Sequence, residues 1–398
     1  MMINNKRSDG SWIPSVYVVE GTLILVQVLF GIGSIVGKLG IKTFNPVLFA
    51  LIREGTAGPI LLLLSFVKIA SLRRKKRQND RDLGGALANL IESKIDGEGE
   101  DREHIVPFVP YRRDFFSFLV CGFFIFANQL GFIMGEKLAN ATIGSAWQPT
   151  QPIMTAAAAM IIGWERPTLL KIGGIVVAAG GAAFMVFYKS NSSVGSNPIV
   201  GNVLFIVNCA GTAGYVIVSK RLLKSKRYVA IVVTAWSYIC ASIFMIITGI
   251  AVNASEKAVR FVCPPNDGED EASCSAWGVP TSAIGPLIYW IFVQSVLCYM
   301  MLTWANQYAK PSSVVAYTAL QPMTSALLSV FIVKIFGKVG GIVMPGLNLL
   351  GGIAIVVGLF MIIYDTSKQK EIEDALVVLH RDDPAAEDTA AGDEVTDF

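Results

Sequence analysis

Apolar residues in this chain come in long unbroken runs, and polar ones gather in the gaps between them. Ten runs can be marked: 16–39, 46–69, 115–135, 138–163, 168–188, 199–219, 229–252, 284–308, 311–336 and 345–364. An α-helix needs about 20 apolar residues to cross a hydrocarbon core of roughly 30 Å. A soluble helix instead carries a polar face, which most of these runs lack. The pattern predicts an all-α integral membrane protein of ten transmembrane helices joined mostly by short connections. The first run begins near Val16 and outlasts the apolar stretch of a secretory signal, so it reads as a retained span.

Composition agrees, because only 16% of the 398 residues are charged, against about 25% in ordinary soluble domains. The net charge of +3 hides a segregation and gives no reason to expect nucleic acid as a partner. "RRKKR" follows the second run and "KRLLKSKR" closes the sixth. Lys and Arg concentrate in cytoplasmic loops. With ten spans, both basic loops share one side with both termini, so the two ends are expected in the cytosol, at the plasma membrane or an endomembrane. Residues 70–113 read as a cytosolic insert, a flexible linker with a short amphipathic helix at "LGGALANLIESKI". The acidic tail 365–398 reads as disordered. The loop 253–283 falls on the opposite side, where a disulfide between Cys263 and Cys274 is permitted. Its sequon at Asn253 lies too near the membrane for modification to be expected. Cys121, Cys209, Cys240 and Cys298 sit inside apolar runs as small hydrophobes. The two histidines, His104 and His380, lie outside every run, and no CxxC spacing occurs, so neither a metal nor another cofactor is expected.

One stretch answers to another. "ANATIGSAWQPTQPIMTAAAAMII" from Ala139 aligns without a gap on "AKPSSVVAYTALQPMTSALLSVFI" from Ala309, 170 residues further on. Gln151-Pro152 falls on Gln321-Pro322, Trp147 on Tyr317 and Thr155 on Ser325. Two halves of five spans follow, 16–188 and 199–364. Five is odd, so the second half enters the membrane inverted. Inverted repeats are a transporter signature, with the site near the midplane at interrupted helices. Pro149, Pro152 and Pro322 deprive the carbonyls of Ser145, Gln148 and Thr318 of their helical partners, which marks them as hinges. Irregular backbone at that depth survives only inside protein or beside a wet cavity. Trp147, Gln151 and Thr155 are four apart and share a helix face, as do Tyr317, Gln321 and Ser325. Two such stripes face to face would make a central pocket with Gln148; the alternative is a packing kink whose amides tie helices together. Asn128, Gln129 and Gln294 lie near mid-depth and join the candidate lining, and the same register sets Asn128 on Cys298 and Gln129 on Tyr299.

With "LFGIGSIVGKLGIKTFNPVLFALIRE" in the first two spans and the two QP spans, the chain resembles the drug/metabolite transporter superfamily, EamA type, including its plant nodulin-like members. The resemblance covers about residues 16–365 without the insert. It implies a ten-helix bundle with a central cavity, alternating access, and export or import of small organic solutes. The family's first-span lysine and second-span arginine fall on Lys38 and Arg53. The family also places the fifth and tenth spans together at the periphery, which makes a homodimer contact there an expectation. The long insert and the cysteine-bearing loop depart from the family pattern.

An ionisable group at mid-bilayer costs roughly 2.5–3.5 kcal/mol on insertion scales. Arg53 and Glu54 lie inside the second span and, being adjacent, point about 100° apart, so they are not expected to pair with each other. Arg53 is a candidate for an anionic substrate group and Glu54 for proton coupling; an interhelical ion pair is the alternative for both. Glu20, near the cytosolic end of the first span, is a second coupling candidate, and Lys38 is placed to snorkel. Gly173, Gly174, Gly180, Gly181, Gly351, Gly352 and Gly358 suit close helix packing. "GIGSIVG" lies within a span with no strand before it, so it is not a nucleotide loop.

The function expected is secondary transport of a small organic metabolite across the bilayer. A nucleotide-sugar or phosphate-ester exchanger would need several cavity cations, and only Arg53, Lys38 and Lys334 offer themselves. A non-transporting membrane receptor is the rival from another class. Scarce carboxylates and the lack of an intramembrane histidine argue against an enzyme.

Overall fold

The computed structural model describes residues 14–40, 44–88, 107–139, 144, 147, 148, 150–187, 197–263, 274–337 and 350–369 apart from 352, 355, 359, 363, 366 and 367. Pro149, both histidines, residues 89–106 of the insert and the tail beyond 369 lie outside the described residues. Helices account for almost all of the rest, and no strand occurs among the described residues.

In chain order the helices are α1 (Val16–Gly40), α2 (Pro46–Ala88), α3 (Phe115–Leu138), α4 (Thr150–Ile161), α5 (Leu169–Phe187), α6 (Pro198–Lys224), α7 (Ala230–Asn253) and the short α8 (Glu256–Val262). The rod α9 (Thr281–Asn306) passes through a π-helical stretch, Trp290–Cys298. Helix α10 consists of Pro311–Ala316, a 3₁₀ turn at Tyr317–Ala319, and Leu320–Phe336. Helical residues from 350 to 369 make α11. Among the described residues, seven helices are long and apolar enough to cross a membrane: α1, α2, α3, α6, α7, α9 and α10. The other three expected spans fall on α4, α5 and α11, each with undescribed positions in or beside it.

One expectation needs correction. Residues 70–88 are not linker, because α2 continues through "RRKKR" to Ala88, 43 residues in all. At 1.5 Å per residue that is about 65 Å, twice a hydrocarbon core, and nothing in "SLRRKKRQNDRD" breaks a helix. Asn253, where no modification was expected, is 6% exposed and its Oδ1 accepts from Asn45 Nδ2 at 2.8 Å. Cys263 and Cys274 are joined as a disulfide beside these residues.

Glycines set the closest helix contacts. Helix α3 packs along α6 and α2 along α7, and a Cβ at Gly211 would stand 2.7 Å from the Asn128 backbone nitrogen. Gly174 and Gly358 face each other in the same way, each glycine's added Cβ meeting the other's carbonyl. The outer faces carry exposed Leu63, Phe66, Ile161, Leu169, Ile199, Ile247 and Phe331, the apolar surface a lipid-embedded bundle needs. Residues 107–114 are pinned on the bundle: Tyr228 Oη accepts from Tyr111 N–H and donates to Asp114, both at 2.9 Å. Burial first, and the Asp114 carboxylate after it, push the Tyr228 phenol up to about 12, so it stays a donor across physiological pH.

Candidate functional site

Polar side chains from α1, α2, α3, α6, α9 and α10, with Gln148 and Gln151 at the head of α4, converge on a cavity of about 80 Å³. Eight carboxamides line it, those of Gln27, Asn128, Gln129, Gln148, Gln151, Asn208, Gln294 and Gln321. Phe30, Phe132, Trp290 and Tyr299 give it aromatic walls, and Arg53 is the one charged group among the lining residues.

The amides are organised rather than scattered. Tyr299 Oη donates to Asn128 Oδ1 at 2.9 Å and accepts from Gln129 Nε2 at 2.8 Å. Asn128 Nδ2 donates to the Asn208 carbonyl at 3.1 Å, and Asn208 Nδ2 to the Asn128 carbonyl at 2.9 Å, which clips α3 to α6. Gln148 Nε2 donates to Asn208 Oδ1 at 3.2 Å, and Gln148 Oε1 accepts from Gln151 Nε2. Across the cavity, Gln321 Nε2 donates to Gln27 Oε1 at 2.6 Å. Buried amides left unpaired are expensive, so these networks fix the walls.

The prolines act where the sequence placed them. Pro152 has no N–H for the Gln148 carbonyl; that oxygen instead accepts from Gln151 N–H at 3.0 Å and from the Thr318 hydroxyl at 3.5 Å. Thr318 belongs to the 3₁₀ turn just before Pro322. The interruption that frees one carbonyl is thus answered by the other interruption.

Arg53 is 1% exposed, yet its guanidinium reaches the cavity. Its Nε–H is spent on Ser295 Oγ at 2.7 Å, its plane lies 4.7 Å from the centre of the Trp290 ring, and Nη1 has no hydrogen-bond partner in the protein. Such a guanidinium is held ready for an acceptor. Contrary to expectation, Arg53 and Glu54 do approach each other, Nε to Oε1 at 3.4 Å. The flexible arginine stem covers the angular gap between adjacent positions. The Nε–H is directed at Ser295, so both Glu54 oxygens lack a hydrogen-bond donor.

Of the residues predicted for the site, Gln148, Gln151, Gln321, Asn128, Gln129, Gln294 and Arg53 line this cavity. Trp147 and Tyr317 do not. Trp147 Nε1 donates to Asn202 Oδ1 at 2.7 Å, and Tyr317 is buried in the apolar core. The second stripe loses phase because Tyr317 lies in a 3₁₀ turn, which advances 120° per residue, not 100°. The aromatic walls come from other helices. Ser325 does not reach the cavity either, since it donates to the Gly31 carbonyl at 2.8 Å. Glu54 sits behind Arg53 rather than in the lining, and Glu20, half-buried on α1, lies within electrostatic reach of Tyr317. Lys334 is exposed, away from the cavity.

Sequence reasoning missed Gln27, Phe30, Asn208, Thr212, Tyr299 and Thr318. One signal for α1 was present: a Cβ at Gly33 would fall 1.3 Å from Gln294 Nε2, and one at Gly31 would meet Thr324 at 2.8 Å. The "GIG" of the first span is a notch that admits α9 and α10.

Residues 102–187 match the model of the EamA-like transporter family. Over that stretch the chain is similar to an EamA-like transporter domain. The resemblance drawn from the QP spans is borne out by that match and by a WAT1-related protein of Arabidopsis thaliana, 24% identical over 264 residues. The alignment takes in 59% of this chain and 63% of the relative, less than two thirds of its length. A solved crystal structure superposes with a TM-score of 0.54 at 13% identity, covering 88% of this chain and 98% of the other, a likeness of fold alone. With seven helices long and apolar enough to cross a membrane among the described residues, the chain is accordingly a multi-pass integral membrane protein.

Proposed function

We propose that this EamA-like protein is a secondary transporter that moves a small organic metabolite by alternating access, with the central cavity as its binding site. The single observation behind this reading is the cavity itself, where eight carboxamides, four aromatic rings and one guanidinium meet between helices of both sequence halves. That lining suits a small solute with a carboxylate for Arg53, hydrogen-bonding groups for the amides and a flat apolar part for the rings. One cation is too few for a phosphate ester.

Two inverted five-span halves are supported by a contact pattern. Gln129 touches Tyr299, and the Gln148 carbonyl accepts from Thr318; each pair is separated by 170 residues, the spacing of the sequence repeat. Equivalent positions meet one another only near a two-fold axis. An axis in the membrane plane is what inverted halves need. At about 80 Å³ the cavity is well below the several hundred Å³ of typical ligand sites, so this reading requires a wider cavity when a solute is bound. Both termini lie in the cytosol with the basic loops, and Cys263–Cys274 on the opposite side.

The experiment is uptake of labelled amino acids and small organic acids into liposomes holding the purified protein. Arg53→Gln is expected to reduce carboxylate uptake roughly 10- to 100-fold, the equivalent of about 1.5–3 kcal/mol for a charge-assisted hydrogen bond. Unchanged uptake by the folded variant removes Arg53 from the site.

A further inference from the structure

Away from the cavity, charged groups of both sequence halves meet in a buried cluster where segments 163–168, 220–229 and 307–312 come together. Gly163 (φ +79°) turns the chain after α4, and the N–H groups of Trp164 and Glu165 both reach back to the Ala159 carbonyl, at 2.8 and 3.3 Å. This turn holds the Glu165 carboxylate at the bundle end, 6% exposed. Its Oε2 accepts from Lys171 Nζ at 2.6 Å and from the Ser312 hydroxyl, and its Oε1 accepts from Ser312 N–H at 2.9 Å. Lys171 and Ser312 are themselves buried. A second bridge runs beside it, with Lys224 Nζ 4.2 Å from the centre of the Trp164 ring. Lys220 closes the turn that presents Ser312 by donating to the carbonyls of Asn306, Gln307 and Ala309 at 2.6, 3.2 and 2.9 Å.

The division of these bonds matters. Glu165 and Lys171 both belong to the first half, so their ion pair survives intact if the halves separate. Only the two bonds from Ser312 cross from the second half to the carboxylate. Removing one partner from a buried pair is severe because it strands a charge, whereas releasing Ser312 strands none. The joint can therefore open and reclose. Three residues beyond Ser312, Val315 lines the cavity, and Thr318 follows one turn later. Releasing Ser312 removes the polar tie between the first segment of α10 and the Glu165 turn and leaves only the packing of that segment on α4 to be undone. At the α2–α7 end, by contrast, the contacts between halves include neutral hydrogen bonds from Asn45 Nδ2 to Asn253 Oδ1 and to the Ala276 carbonyl.

We propose that the Glu165–Lys171–Ser312 cluster is a latch that closes this end of the cavity and lets go when α10 swings outward, an inference that rests on the alternating-access reading above. Ligand-driven population shifts work on such two-state joints by stabilising one arrangement over the other.

The test places a reporter at Val315→Cys in the full chain, in liposomes, and applies a membrane-impermeant maleimide to one face at a time, with labelling of the parent protein subtracted. Glu165→Gln is expected to raise the modification rate from the latch end about tenfold, and Ser312→Ala several-fold, with no rise from the other face. Ser312→Ala leaves the ion pair whole and keeps the test open if Glu165→Gln does not fold. A rate from the latch end that neither variant changes, or a rise confined to the opposite face, overturns the latch. If the reporter is reached from neither face in any background, alternating access through this cavity fails and the latch falls with it. Labelling from both faces that the latch variants do not alter leaves transport standing and removes the latch alone.

Discussion

Tyr299 serves two amides at once. Tyr299→Phe leaves Asn128 Oδ1 without that donor and takes from Gln129 Nε2 its acceptor. Buried polar atoms orphaned in this way cost about 1–3 kcal/mol, so a clear fall of the thermal midpoint in detergent is expected; an unchanged midpoint would mean that the network does not hold the wall. Gly33→Val drives a side chain into the Gln294 amide. Overpacking of that kind costs about 1–3 kcal/mol and displaces Gln294 from the cavity, so binding is expected to weaken along with stability. Polar residues were easy to pick out in the sequence because each needs a reason inside an apolar run, and that singled out Arg53, Gln151, Gln321, Asn128 and Gln294. Tyr299 escaped because hydropathy counts its ring and not its hydroxyl. Asn208 escaped because its partner lies 80 residues away on α3.

At the scale of elements, the breaks were legible and their geometry was not. Proline chemistry located the interruptions at Pro152 and Pro322. It did not reveal that the 3₁₀ turn at Tyr317–Ala319 would rotate Tyr317 away from the cavity, since that depends on how the freed carbonyls are answered across the bundle. The π-helical stretch of α9 left no mark in the sequence either, although it sets both Trp290 and Ser295 around Arg53. Replacing Pro322 with alanine restores an N–H for the Thr318 carbonyl. Pro322→Ala is expected to keep or raise the thermal midpoint while slowing uptake several-fold; full-speed transport by the straightened helix would deny the break a role. Lys171→Met tests the other kind of joint. It leaves Glu165 buried without its cation, a loss of about 3–5 kcal/mol, which unfolding of the purified protein would register.

For the whole molecule, hydropathy conveyed the membrane class and the order of the long helices. The long charged arm of α2 was missed because charge was taken as the end of a helix, when it marks only the end of the apolar span. Topology remains the simplest global consequence. Reporters fused to the two ends are expected in one compartment; ends in opposite compartments would require an odd number of crossings and break the inverted pairing.

The most direct measurement is the accessibility of a cysteine at Gln151→Cys, deep between the halves, to an impermeant thiol reagent supplied first on one side of the membrane and then on the other. Modification from either side, with each rate falling when a transported solute saturates the cavity, is the expected result. Modification from one side only, or equal reactivity with a lipid-soluble and an impermeant reagent regardless of solute, would contradict a central path shared by the two halves.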